Sequence, residues 1–298
     1  MEYHSTQFAI MNTRIVVGVV IALIVVGIAG SYLADTVPHD AARATLDPLN
    51  AIYDIDGMSV TLVNGSATQE IAPDSASMLR VETFGEPTRG DLDFDGDDDA
   101  AVTLVVNSGG TGTFYYVAAA LYAGTRTEGT NAILLGDRIA PQTLEIRNGV
   151  IVANYADRAP GDPFAVPPSV GVSRYLVLRD GALIDLWPPA KQNLIQLNSV
   201  HPGNVIASPL VITGRARGTW YFEASFPIRL KDQNGNEIAV VPAQAQSEWM
   251  TTEFVPFSVT LTFTQPPTGT RGTLIFQKDN PSDRRELDDS LEFPVIFQ

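Results

Sequence analysis

Three dipeptides constrain this chain more than any other feature: Asn64-Gly65, Asn148-Gly149 and Asp180-Gly181. Both residues of such a pair tolerate the positive φ that a two-residue hairpin turn demands. Short runs rich in β-branched and aromatic residues lie beside them: 59–63 before the first, 143–147 and 150–155 around the second, 174–178 and 182–186 around the third. Two further runs, 100–107 and 113–122, are joined by Ser108-Gly109-Gly110-Thr111-Gly112. The 24 glycines and 20 prolines favour turns over long helices. The expected fold class is all-β, mainly antiparallel, with residues 118–121 open to a short helix instead.

Charge and residue usage exclude several function classes. A net charge of −15 argues against nucleic acid, which needs a basic face to replace counterions, and against electrostatic docking on anionic lipid. Cysteine is absent, so there are no disulfides, thiolate metal sites, cysteine nucleophiles or acylated cysteines. His4, His39 and His201 have no Ser or Asp partner at a catalytic spacing and form no HExxH pair. There is no GxSxG elbow. Gly109-Gly110-Thr111-Gly112 lacks the lysine of a phosphate loop. Asp54 and Asp56 are the nearest candidates for a pair of hydrolytic carboxylates, although a solvated strand end explains them better. Arg215 and Arg217 could bind an anion, or serve as surface partners of nearby acids.

Residues 15–33 form an uncharged, apolar run. As a helix it would span roughly 28 Å, close to the hydrocarbon core of a bilayer. Arg14 precedes it, and Asp35 and Asp40 follow, which places the N-terminus in the cytoplasm and the rest outside. The domain plan is a stub at 1–14, a signal-anchor at 15–33, a tether at 34–50, a β-rich domain at 51–190 and a second domain at 191–298. Ala29-Gly30-Ser31 also fits a cleavage site, so secretion after cleavage near Ser31 is the alternative.

Six of the nine residues in Asp91-Leu92-Asp93-Phe94-Asp95-Gly96-Asp97-Asp98-Asp99 are aspartate. Asp91, Asp93 and Asp95 alternate, Gly96 permits a sharp turn, Asp97 offers a backbone carbonyl, and Asp99 adds a carboxylate. Calcium takes six to eight oxygen ligands, and this spacing suits it. Leu92 and Phe94 read as packing residues. An EF-hand would need Glu at the twelfth position, where Val102 stands. The loop resembles the calcium loops of dockerins and FG-GAP repeat proteins, but it occurs once, and a propeller needs repeated copies. The competing reading is a solvated acidic turn.

After residue 193, strand-like runs recur at 195–200, 210–216, 220–230, 237–241, 255–263, 272–277 and 291–297, the pattern of a β-sandwich. Within 220–230, Trp220, Phe222, Ala224 and Phe226 are expected to share one face. Ser208-Pro209-Leu210, Thr213-Gly214-Arg215-Ala216, the stretch from Trp220 to Pro227, Asp232-Gln233-Asn234-Gly235 and Lys278-Asp279-Asn280-Pro281-Ser282 occur in order. Together they resemble the bacterial spore-germination immunoglobulin-like domain over roughly 194–298. That resemblance implies an extracytoplasmic immunoglobulin-like module without catalytic residues; its usual GerMN companion is not recognisable upstream.

The expectation is a membrane-anchored envelope protein that is not an enzyme. It would bind an envelope protein or a glycan through an adhesion or assembly module, with a structural calcium ion at Asp91, Asp93, Asp95, Asp97 and Asp99. The alternative is an envelope hydrolase with a carboxylate site within 51–190.

Overall fold

The computed structural model describes residues 46–71, 77–124, 126–282 and 284–298. The apolar run 15–33, its stub and most of the tether lie outside them. Among the described residues no helix is long and apolar enough to cross a membrane. Residues from Ala44 to Gln298 form one compact unit.

Its first half is built from β1 (Ile52–Ile55), β2 (Met58–Thr61), β3 (Ser66–Glu70), β4 (Met78–Gly90), β5 (Asp99–Asn107), β6 (Phe114–Tyr122), β7 (Thr127–Gly129), β8 (Ile133–Asp137), β9 (Ala140–Arg147), β10 (Val150–Asp157), β11 (Val170–Arg179) and β12 (Ala182–Asp185). β1 and β2 form a hairpin, β3-β4-β5-β6-β7 form a sheet that β8 joins at β6, and β12-β11-β10-β9 form another. All these pairings are antiparallel. Asn64-Gly65, Asn148-Gly149 and Asp180-Gly181 all have positive φ in both residues. Residues 118–121 are strand, not helix.

The apolar runs are explained by burial on two faces. In β5, Ala100, Val102, Leu104 and Val106 pack toward β1 and β2, whereas Ala101 packs toward β10 and β11. In β6, Tyr116, Ala118 and Ala120 take the first side, and Val117 and Ala119 the second. A sheet covered on both faces needs a continuous apolar run rather than alternation. β10 repeats the device: Ile151, Ala153 and Tyr155 face the large sheet, while Val150 and Val152 face the C-terminal sandwich.

That sandwich contains β13 (Ile195–Leu197), β14 (Val205–Ile206), β15 (Leu210–Arg217), β16 (Ser225–Asp232), β17 (Glu237–Gln244), β18 (Phe254–Leu261), β19 (Arg271–Gln277) and β20 (Ser290–Phe297). One sheet runs β13-β15-β18 and the other β14-β20-β19-β16-β17. Their inner faces carry Ile212, Phe226, Ile228, Phe257, Leu274, Phe276 and Phe293, all at 1 % exposure or less. The same core takes in Val150, Val152, Tyr175 and Trp187.

The single strand expected at 220–230 is interrupted. Gly218–Trp220 is a short 3-10 turn. A Cβ on Gly218 would run into the carbonyls of Trp249 and Thr251, so only glycine lets the backbones approach there. Phe222 and Ser225 then exchange backbone hydrogen bonds around Glu223 and Ala224, both at positive φ. The resulting tight hairpin breaks the alternation. Trp220 and Tyr221 are both buried, Phe222 is exposed, and the strand starts at Ser225.

His201 sits where the two halves meet. Its ring stacks on Tyr175 at 5.9 Å and lies 6.2 Å from Trp187. Burial, with the charge of Arg147 adding to it, lowers its pKa below 6.5, while a backbone hydrogen bond opposes the shift. A folded-state pKa below the unfolded value means that the unfolded chain takes up the proton first, so stability falls as pH drops below about 6.5. The melting temperature should therefore decline between pH 7 and pH 5, and His201→Gln should flatten that part of the profile; an unchanged slope in the variant would show that other groups cause it. Trp187→Ala should cost about 3–5 kcal/mol in a denaturant titration, because it empties a large volume in the shared core.

Candidate metal centre

The acidic loop connects β4 to β5 and is wound by its own aspartates. Asp91 Oδ1 accepts the Phe94 N–H at 2.5 Å, and its Oδ2 accepts the Gly96 N–H at 3.2 Å. Asp93 Oδ1 accepts the Asp95 N–H at 3.1 Å, and Asp95 Oδ1 accepts the Asp97 N–H at 2.8 Å. Two left-handed residues, Phe94 (φ 68) and Gly96 (φ 91), provide the curvature. Local carboxylate-to-backbone bonds of this kind compete well with strand pairing and hold the chain in a loop.

Asp99 has a different role. It is 1 % exposed. Its Oδ2 accepts the Leu92 N–H at 2.9 Å, and its Oδ1 accepts the Tyr122 N–H at 3.0 Å. One carboxylate thus ties the start of the loop to the end of β6. Burial raises its pKa most, and the charges of Asp93 and Asp95 push the same way; the two backbone N–H groups oppose the rise.

Carboxylate oxygens of Asp91, Asp93 and Asp99 all lie within 4.8 Å of one another. Two oxygens that bind one calcium ion at 2.3–2.6 Å can be no more than about 5 Å apart, so this donor set fits a hard cation. The structure brings together three of the five expected ligands. The Asp95 carboxylate stands outside that group, exposed and turned to the Asp97 N–H, while Asp97 is expected to contribute its backbone carbonyl and not its carboxylate.

The two packing residues behave differently. Leu92 is 2 % exposed and enters the core, as expected of it. Phe94 is 41 % exposed, although its ring is held between two neighbours. One is Gly149, where a Cβ would collide with the ring. The other is Arg271 of β19, whose guanidinium lies on the ring face. Burial lowers the pKa of Arg271, and Asp91 pulls it upward. No local pattern signals this contact, because 177 positions separate Phe94 from Arg271.

The other candidate chemistry is absorbed into the scaffold. Asp54 Oδ1 caps the Gly57 N–H at 2.7 Å, in a turn where Asp56 and Gly57 both have positive φ. Asp56 Oδ2 accepts the Tyr116 hydroxyl at 2.6 Å. Arg215 and Arg217 lie over Phe254 at 4.9 Å and 4.1 Å. Arg215 donates to Gln196 and Arg217 to two backbone carbonyls. In the cleft of about 200 Å³ between β4 and β9, Glu86 is the one carboxylate among the described residues.

Residues 194–284 match the family model described as the immunoglobulin-like domain of bacterial spore germination, the family that the C-terminal motifs resemble. No curated protein and no solved structure matches the chain.

Removing the buried acceptor should damage the fold even without metal. Asp99→Ala leaves two buried N–H groups unpaired, at about 1–3 kcal/mol each. Asp98→Ala, at an exposed position, should stay within about 0.5 kcal/mol of the parent. Urea titration in chelator checks both, and equal stabilities would show that Asp99 does not anchor the loop.

Proposed function

We propose that this chain is a membrane-anchored, extracytoplasmic module of a bacterial envelope that binds an envelope protein or glycan and carries a structural calcium ion. The match of residues 194–284 supports the coarser part, a non-catalytic extracytoplasmic module with an immunoglobulin-like domain. The apolar run 15–33 supports anchoring through an N-terminal helix, with release after cleavage near Ser31 as the alternative outcome.

One observation supports the non-catalytic reading: Asp54 and Asp56, the pair nearest to a hydrolytic arrangement in the sequence, are already bonded. Asp54, Asp56 and Asp99 each accept hydrogen bonds that hold a turn or join two strands. A hydrolase needs two carboxyl groups facing one open space, one of them free to move a proton.

Asp91, Asp93 and Asp99 would hold the calcium ion, which supplies positive charge to a loop that is otherwise self-repelling. Three carboxylates exceed the charge of one ion, so the filled site stays anionic and polarises a substrate poorly. The charge would offset the burial and repulsion that raise the Asp99 pKa. It would also fix the register of β5, which begins at Asp99. Extracellular calcium sites have dissociation constants of about 0.1–1 mM.

Calcium at 100 times the dissociation constant should add about 2.7 kcal/mol of stability to the full chain, so its melting temperature should rise with calcium and fall with chelator. Asp93→Asn should remove most of this dependence, and Asp98→Asn should preserve it. Indifference to both calcium and chelator would leave a solvated acidic turn. Protease treatment of right-side-out cells checks the placement, since full protection of residues 46–298 would sink the topology.

A further inference from the structure

Arg271 is a half-buried guanidinium whose donors meet no acceptor among the described residues. An arginine carries five N–H donors in a rigid fork. It lies over the Phe94 ring and its charge interacts with Asp91. Yet it hydrogen-bonds to no other described residue, so the edge of the fork is left open. Most other cations of this acidic chain are engaged: Arg174 with Asp185, Lys191 with Asp289, Arg229 with Glu237 and Arg138 with Asp137 are examples. Among the described residues, the side chains of Arg80, Arg179, Lys231 and Arg271 alone neither hydrogen-bond nor pair with a carboxylate. Three of these four line two adjoining clefts.

Arg179 and Arg271 line a cleft of about 640 Å³ between the β11–β12 hairpin and the outer face of β19 and β20. Lys231 and Arg271 line the next, along the sheet face toward the turn at Asn234-Gly235. The first has mixed lining, its apolar part supplied by half-buried Leu121, Val177 and Leu186. Its volume falls in the range of ordinary ligand sites, which combine apolar walls with a few fixed polar groups. Its acids are Asp93, Asp180 and Glu292. Asp93 bonds the loop backbone, and Glu292 accepts the Ser290 hydroxyl.

We propose that this cleft binds a carboxylate carried on an apolar body, namely the free C-terminus of an apolar peptide, with Arg271 gripping the carboxylate and Arg179 adding charge at the rim. A guanidinium packed over an aromatic ring is partly restrained before any ligand arrives, and its fork can match a carboxylate in two-point geometry. Asp180 and Glu292 at the rim suit the N–H groups of a peptide, which an acyl chain lacks. The proposal rests on the reading of the chain as a binding module and supplies its ligand class.

The test is calorimetric titration of the full chain with N-acetyl-Ala-Leu-Val-Leu bearing a free carboxylate, with its C-terminal amide, and with decanoate. The free acid should bind, and the amide should bind at least about tenfold more weakly, as expected for losing a charge-assisted hydrogen bond. Arg271→Gln should weaken the acid by a similar factor, and Arg80→Gln, outside both clefts, should not change it. Arg179 is exposed, so Arg179→Gln, expected to weaken binding several-fold, keeps the test open if Arg271→Gln fails to fold. Equal affinity for acid and amide, or unchanged binding in a folded Arg271→Gln protein, overturns the assignment. Binding of decanoate without the peptide overturns the peptide as source. A calcium-dependent melting temperature alongside absent peptide binding would refute the cleft and leave the metal loop standing.

Discussion

The structure depends on strands that are buried on both faces. β10 is the clearest case: Ile151, Ala153 and Tyr155 pack against the large sheet, and Val150 and Val152 pack into the sandwich core. A strand between two cores cannot slip by one residue without exchanging both sets of contacts. Its partners pin it further, since β9 and β11 pair with it along most of its length. The layers are thin where alanines cross, at Ala101, Ala118, Ala119 and Ala120, all at 0 % exposure. Large side chains there would force the sheets apart, and overpacking of this kind costs about 1–3 kcal/mol per site.

Asp99 places the acidic loop on that frame. It is the first residue of β5, and its two oxygens reach back to Leu92 and across to Tyr122. The loop can therefore be strongly acidic and still leave from a fixed point. Phe94 holds the far side, with its ring over Gly149 and under Arg271. A loop held at both ends is ordered before any ion arrives. That matters for affinity, since a preformed site does not have to offset the entropy of ordering its ligands.

What was legible in the sequence was local. Asn64-Gly65, Asn148-Gly149 and Asp180-Gly181 are turns because their own backbone preferences demand it, and the loop at Asp91 curls because its side chains bond its own N–H groups. The C-terminal motifs pointed to the family model that matches residues 194–284, because several short resemblances fall in order. The interruption at Glu223 and Ala224 was hidden, since neither residue is a usual choice at positive φ and the surrounding aromatics read as a strand. The selection of Asp91, Asp93 and Asp99 over Asp95 was also hidden. Asp99 is held inward by the N–H of Tyr122, which belongs to a different strand. Two-face burial was visible only as long apolar runs, which did not say what covered each side.

Arg271 shows why placement carries more functional information than composition here. By formal charge the chain is acidic, and its cations read as scattered surface partners. In the fold most of them are satisfied, by carboxylates such as Asp185 for Arg174 or by carbonyls such as Val166 for Arg158. Against that background an unsatisfied guanidinium is informative, because partial burial has already removed part of its hydration without supplying acceptors. The aromatic ring beneath it compensates in part but leaves the donor edge open. A partly buried cation over a ring and short of acceptors is the feature on which the proposed ligand site rests. The same ring belongs to the acidic loop, so whatever orders Asp91 and Asp93 also orders the platform under Arg271. The acidic loop and the cleft share Phe94 and Asp93, so the two are sides of one element.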